Sequence, residues 1–65
     1  MKIHELEIIY NQRDKSGFND IDNCKYLASL NSKTDCYNHL VWFLTKSEVS
    51  QHSYIEVLSI EVKPL

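Results

Sequence analysis

Asn31-Ser32-Lys33-Thr34-Asp35-Cys36-Tyr37-Asn38-His39-Leu40-Val41-Trp42-Phe43-Leu44 is the one stretch of this chain in which apolar residues recur at helical spacing. Ser32, followed three residues later by Asp35, has the form of an acidic capping box, which satisfies the first free N–H groups of a helix. At 100° per residue, Cys36, Tyr37, Leu40, Val41, Phe43 and Leu44 fall within an arc of roughly 160°. The pattern predicts an amphipathic helix that buries this arc and ends near Ser47 to Ser50, where Ser, Glu and Gln replace the apolar residues. On both sides of it the period changes to two.

Upstream, Lys2 to Tyr10 alternates, with His4, Leu6, Ile8 and Tyr10 on one face and Ile3, Glu5, Glu7 and Ile9 on the other. This reads as a strand whose Leu6/Ile8/Tyr10 side meets the core. Asn23 to Leu30 alternates again, with Cys24, Tyr26, Ala28 and Leu30 opposite Lys25, Leu27 and Ser29. Between them, Asn11 to Asp22 holds the only Gly, three Asp and two Asn, which are turn formers. It reads as a hairpin connection too long for a tight turn, with Phe18 and Ile21 as apolar anchors. Downstream, Ser53 to Lys63 is rich in β-branched residues and ends at Pro64, which stops pairing. Its phase slips: Ile55 and Val57 share one face, Leu58, Ile60 and Val62 the other. A bulge near Val57, or partial cover on both faces, accounts for the slip.

The order is therefore β-β-α-β. A right-handed helical crossover sets the last strand parallel to the second, and the open place is beside the first. The expected fold is α+β: a three-stranded antiparallel sheet in the order 2-1-3 with one helix packed on one face. The 65 residues are expected to form a single domain, 1–65, since domains usually run to about 100–150 residues. A chain this short buries only about 60% of the surface its unfolded form exposes, so its core is thin.

Composition narrows the function. The 43% hydrophobic and 25% charged content is that of a folded protein. A net charge of −2, with scattered Lys and a single Arg13, weighs against nucleic acid as the main ligand, because such affinity comes largely from neutralising phosphates. No stretch approaches the roughly 20 apolar residues of a membrane span, and the charged start, Met1 to Glu7, does not suit a signal peptide. Cys24 and Cys36 form neither a C-x-x-C motif nor a zinc ligand set. They read as buried free thiols in a reducing cytoplasm; a Cys24–Cys36 disulfide is the alternative.

Each chemistry-bearing cluster has a plainer role. Cys36 and His39 stand three apart on the helix, the minimum for a thiol–imidazole pair, but Cys36 points into the buried arc. His39, one turn from Asp35, reads as half of an ion pair on a solvated face. Asp20, Asp22 and their Asn neighbours lack the glycine and bidentate Glu of a calcium loop, and suit a turn instead. No metal, cofactor or catalytic set is expected. The misplaced residues are apolar ones. Trp42 falls with Asp35, Asn38, His39 and Lys46 on the polar side of the helix, and large rigid rings there are typical interface anchors. Alternatively, Phe18 folds over it. An open sheet face carrying Ile3, Ile9, Leu27, Ile55 and Val57 would form a patch of the size that marks interaction sites.

The length and the β-β-α-β layout, from Lys2 to Lys63, resemble several anti-CRISPR proteins among the small accessory proteins of phages and mobile elements. The resemblance is one of architecture and carries no residue across. It implies function through surface contacts with a host nucleoprotein defence complex, such as a CRISPR effector, in the host cytoplasm. The chain is accordingly expected to be a non-catalytic protein-binding module, with Trp42, His39, Lys46, Ile3, Leu27, Ile55 and Val57 making the contacts. A homodimer formed through open faces or edge strands is one alternative. A small nucleic-acid-associated regulator using Arg13, Lys25 and Lys33 is the other.

Overall fold

The computed structural model describes residues 1–48 and 53–65. Its elements follow the order β1 (His4–Asp14), β2 (Ile21–Leu30), α1 (Lys33–Glu48) and β3 (Ser53–Pro64). The sheet order is β2-β1-β3, and β1 pairs antiparallel with both neighbours. The α+β class, the element order and the sheet order expected from the sequence are all present.

From the centre of the sheet, β1 sets its apolar row of Leu6, Ile8 and Tyr10 beneath the helix, between the apolar rows of β2 and β3. Leu6, Ile8 and Cys36 are fully buried, and Tyr10, Tyr26, Leu30, Leu40, Phe43 and Val62 pack around them. Helix α1 starts where Ser32 Oγ accepts from the Asp35 N–H at 3.1 Å and the Ser32 carbonyl accepts from the Cys36 N–H. Such a cap stabilises a helix by about 1 kcal/mol. Positions 49 and 50, within the expected helix end, lie outside the described residues, as does His52.

Both hairpin strands are longer than their apolar patterns. β1 continues through Asn11 to Asp14 and β2 begins at Ile21, so the expected long connection is a turn over residues 15–20. Polar contacts hold this extension. Asp14 Oδ1 accepts from the Ser16 N–H, Asp14 Oδ2 from Asn19 Nδ2, and Asp20 Oδ1 from the Asp14 N–H, all within 2.9 Å. Gly17 takes a φ of +82° there, a conformation that costs other residues roughly 1–2 kcal/mol. The Asp and Asn residues thus do turn chemistry. Phe18 is no anchor: it is 87% exposed.

A bulge in β3 overturns one expectation. Ile9 faces Ser59 and Tyr10 faces Val57, leaving Leu58 as the extra residue. Directly opposed residues share a face, so Val57 stands with Tyr10 and Ile55 with Gln12, on the helix side. The open face instead carries Glu5, Glu7, Arg13, Lys25, Glu56, Glu61 and Lys63, with Leu27, Ile9 and Tyr54 among them. It is largely polar, as an uncovered antiparallel face should be. Arg13 bonds Glu56 and Asp22 across both neighbouring strands, and Lys63 Nζ bridges Glu7 and Glu61 at 3.1 and 3.6 Å.

The helix is also rotated from its expected orientation. His39, placed on the polar side by periodicity, is part-buried, whereas Tyr37 and Val41 of the expected buried arc are exposed. The buried arc runs from His39 through Phe43, Cys36 and Leu40 to Leu44, a swing of about 50°. The cause is a polar one, given by the partner His39 finds on β2.

Candidate partner-binding site

Tyr26 on β2 and His39 on α1 form the joint that sets this rotation. The Tyr26 hydroxyl and His39 Nε2 are 2.6 Å apart, and the two rings stack with centroids 5.6 Å apart at 15°. A half-buried phenol needs a hydrogen-bond partner, and His39 meets that need by turning to Tyr26 rather than to Asp35.

From this joint the aromatic contacts spread in both directions. Phe43 packs tilted on Tyr26 at 4.7 Å and edge-on to Tyr10 at 5.4 Å. On the outer side, Trp42 leans on His39 at 5.0 Å, and Lys46 Nζ stands 5.1 Å from the Trp42 ring centre. That distance suits a cation–π contact. Trp42 is 49% exposed, so its ring has one face fixed by His39 and much of its surface in water.

Beside this ridge opens a cleft of about 400 Å³, between Trp42, Phe43 and Lys46 of the helix and Tyr10, Tyr26 and Ile55 of the sheet. Gln12 and Ser53 add an amide and a hydroxyl to its lining. Geometry explains where it lies. An 11-residue strand extends about 36 Å, and a 16-residue helix about 24 Å. The sheet therefore outruns the helix near its C-terminal end, and the uncovered part of the helix-side face becomes the cleft wall.

Of the residues expected to contact a partner, the structure brings Trp42, Lys46 and Ile55 to one cleft, with His39 behind Trp42. Val57 lies one pair along from Ile55, opposite Tyr10. Ile3 and Leu27 are apart from them: Leu27 faces Glu7 on the open side, and alternation sets Ile3 with Glu5. Phe18 does not cover Trp42. Tyr10, Tyr26 and Phe43 read as plain core in the sequence and prove to be cleft walls as well.

Other clusters are accounted for by local contacts. Cys36 is fully buried, and Cys24 faces Tyr10 on the helix side; both thiols are free. Arg13, a candidate phosphate contact, is taken up by Glu56, Asp22 and Asp20. Among the described residues no group of three or more His, Cys, Asp or Glu could hold a metal ion, and no helix is long and apolar enough to cross a membrane. Compared with known proteins, the chain matches no family model, no curated protein and no solved structure.

Proposed function

We propose that this chain is a non-catalytic protein-binding module that occupies a site on a larger protein, with Trp42 as the anchor and the adjoining cleft as the receptor for a partner side chain. The observation that supports this reading most is the placement of Trp42. Its ring is half in water, yet held by His39 and Lys46. A large ring fixed before contact loses little conformational freedom on binding, which is why tryptophan recurs at interface hot spots. The cleft volume lies at the lower end of the roughly 300–1,000 Å³ typical of ligand pockets, a size that suits one large side chain or a short segment.

The architectural resemblance to anti-CRISPR proteins supports a setting for the module: a phage-encoded inhibitor of a host nucleoprotein defence complex. Free Cys24 and Cys36 fit a reducing compartment such as the cytoplasm.

The test is affinity purification from the native host with three variants. Trp42→Ala and Lys46→Glu keep the wild-type circular dichroism and lose the partner, with affinity for the purified partner down by roughly 30-fold or more at Trp42. Leu27→Ala, on the open face, retains it. If Trp42→Ala instead lowers the melting temperature by about 8 °C or more, an effect above roughly 1 kcal/mol for a domain this small, Trp42 serves the fold and the proposal fails.

A further inference from the structure

The edge of β3 carries a feature the partner site does not use. Among the described residues β3 pairs with β1 on one side only, so along its regular part, from Ser59 to Lys63, the other side presents N–H and C=O groups without a strand partner, a template for another strand. On its helix-side face stand Val57, Leu58 and Ile60, the last two 52% and 45% exposed. We infer that this chain binds a second copy of itself along β3, antiparallel, with the two-fold axis at Ile60.

The register follows from what brackets the strand. The bulge at Leu58 breaks regular extension on one side, and Pro64 lacks an N–H on the other. The regular run between them, residues 59–63, has Glu61 at its middle, flanked by the helix-side residues Ile60 and Val62; an axis at Val62 would set Ile60 against Pro64, which has no N–H to pair. An antiparallel self-pairing must keep equivalent faces together, so its centre falls on a residue. Centred on Ile60, it sets Ile60 against Ile60 and Leu58 against Val62 on the helix side, with Ser59 against Glu61 on the open side. Centred on Glu61, it would oppose two like charges, which is destabilising. Centred on Ser59, it would bring Val57, turned to the helix side by the bulge, against Glu61 of the open face.

The other sheet edge offers no equal. The helix-side face of β2 is covered by α1 through Tyr26 and His39, and its start is broken by Asn23 at a φ of 57°. A two-fold axis perpendicular to the sheet keeps both helices on one side of a six-stranded sheet. Tyr37 and Val41, exposed on the helix flank turned away from β2, then border the seam. With Val57, Leu58 and Ile60, all five between 38% and 62% exposed, they form an apolar strip of the few hundred Å² that marks interaction sites. The paired backbone brings this within reach of the roughly 800 Å² per partner of a stable interface.

Sedimentation equilibrium of the whole chain tests the inference, with a mass twice the 7.7 kDa of one chain expected. Ile60→Lys puts two ammonium groups on the axis and weakens association on the order of a hundredfold, with circular dichroism unchanged. Trp42→Ala leaves the mass at two chains. Should Ile60→Lys not fold, a crosslink decides. In a Cys24→Ser background, Ile60→Cys forms a disulfide-linked dimer on oxidation, whereas Leu58→Cys, opposed by Val62, does not. A wild-type chain that stays at one mass at the highest attainable concentration overturns the inference. So does a dimer that survives Ile60→Lys, or one that crosslinks through Leu58→Cys as readily as through Ile60→Cys.

Discussion

Tyr26 takes a hydroxyl into the half-buried layer between β2 and α1, and the bond to His39 at 2.6 Å outweighs the helix's apolar periodicity. A satisfied hydrogen bond contributes about 1 kcal/mol, and a stacked ring pair about 0.5–1.5 kcal/mol more. Burying Tyr37 and Val41 instead would have left the phenol without its partner. Periodicity counts apolar residues only, so it located Trp42 and Lys46 on an exposed flank and misread His39 beside them. Tyr10 shows the same layer from its other end. Burial pushes its phenol above the ordinary value of 10.0, and charge on Cys24, its cross-strand partner, adds to the rise. The unfolded chain therefore loses this proton first as pH rises, so the folded state binds more protons above about pH 10 and stability falls there. Lys63, raised by its bond to Glu7 and its proximity to Glu61, acts in the same direction. Urea unfolding at about pH 8 and about pH 10.5 should show a smaller alkaline loss in Tyr10→Phe than in wild type, the remainder belonging to Lys63. Equal losses in the two proteins would refute the role of Tyr10.

At the scale of elements, the sequence is informative wherever a period can be counted. The helix, the two flanking apolar strands and the strand order were all legible, because a right-handed crossover leaves one open place in the sheet. Strand ends were not. Asn11 to Asp14 joins β1 through Asn11 Oδ1 accepting from the Asn23 N–H at 3.0 Å and through the ion pairs of Arg13, contacts with no hydrophobic pattern. This hidden length makes the sheet outrun the helix, which is why the cleft was not foreseen while its rim residue Trp42 was. The bulge was legible as a phase slip, but its consequence for Ile55 and Val57 needed the register. Deleting Leu58 should leave the pairs Ile9–Ser59 and Tyr10–Val57 in place and produce a regular ladder, with Ile55 still on the helix side. Cross-strand nuclear Overhauser contacts between Tyr10 and Val57 check this. Their replacement by contacts from Tyr10 to Glu56 would mean that the bulge is set by β1 rather than by Leu58.

As a whole, the molecule is a long sheet with a short core. Its extents are 41 × 21 × 14 Å and its radius of gyration 12.9 Å, above the roughly 11 Å typical of 65 residues. Stability of about 0.05–0.15 kcal/mol per residue gives a chain of this length roughly 3–10 kcal/mol in all. Leu6 is fully buried at the centre of the three-residue core, and truncating such a leucine costs about 2–5 kcal/mol. Leu6→Ala should therefore leave a large unfolded fraction in dilute solution at 25 °C, seen as loss of dispersed amide signals in NMR spectra. Self-association along β3 changes this by mass action, since a dimer of folded chains draws unfolded ones back as concentration rises. The dispersed signals of Leu6→Ala should then return on concentration, and should fail to return in Leu6→Ala combined with Ile60→Lys. Recovery of both variants alike would locate the missing stability elsewhere than at the β3 edge. A Leu6→Ala chain fully folded when dilute would show that the polar frame of Arg13, Lys63 and the Asp14 turn contributes more than this thin core.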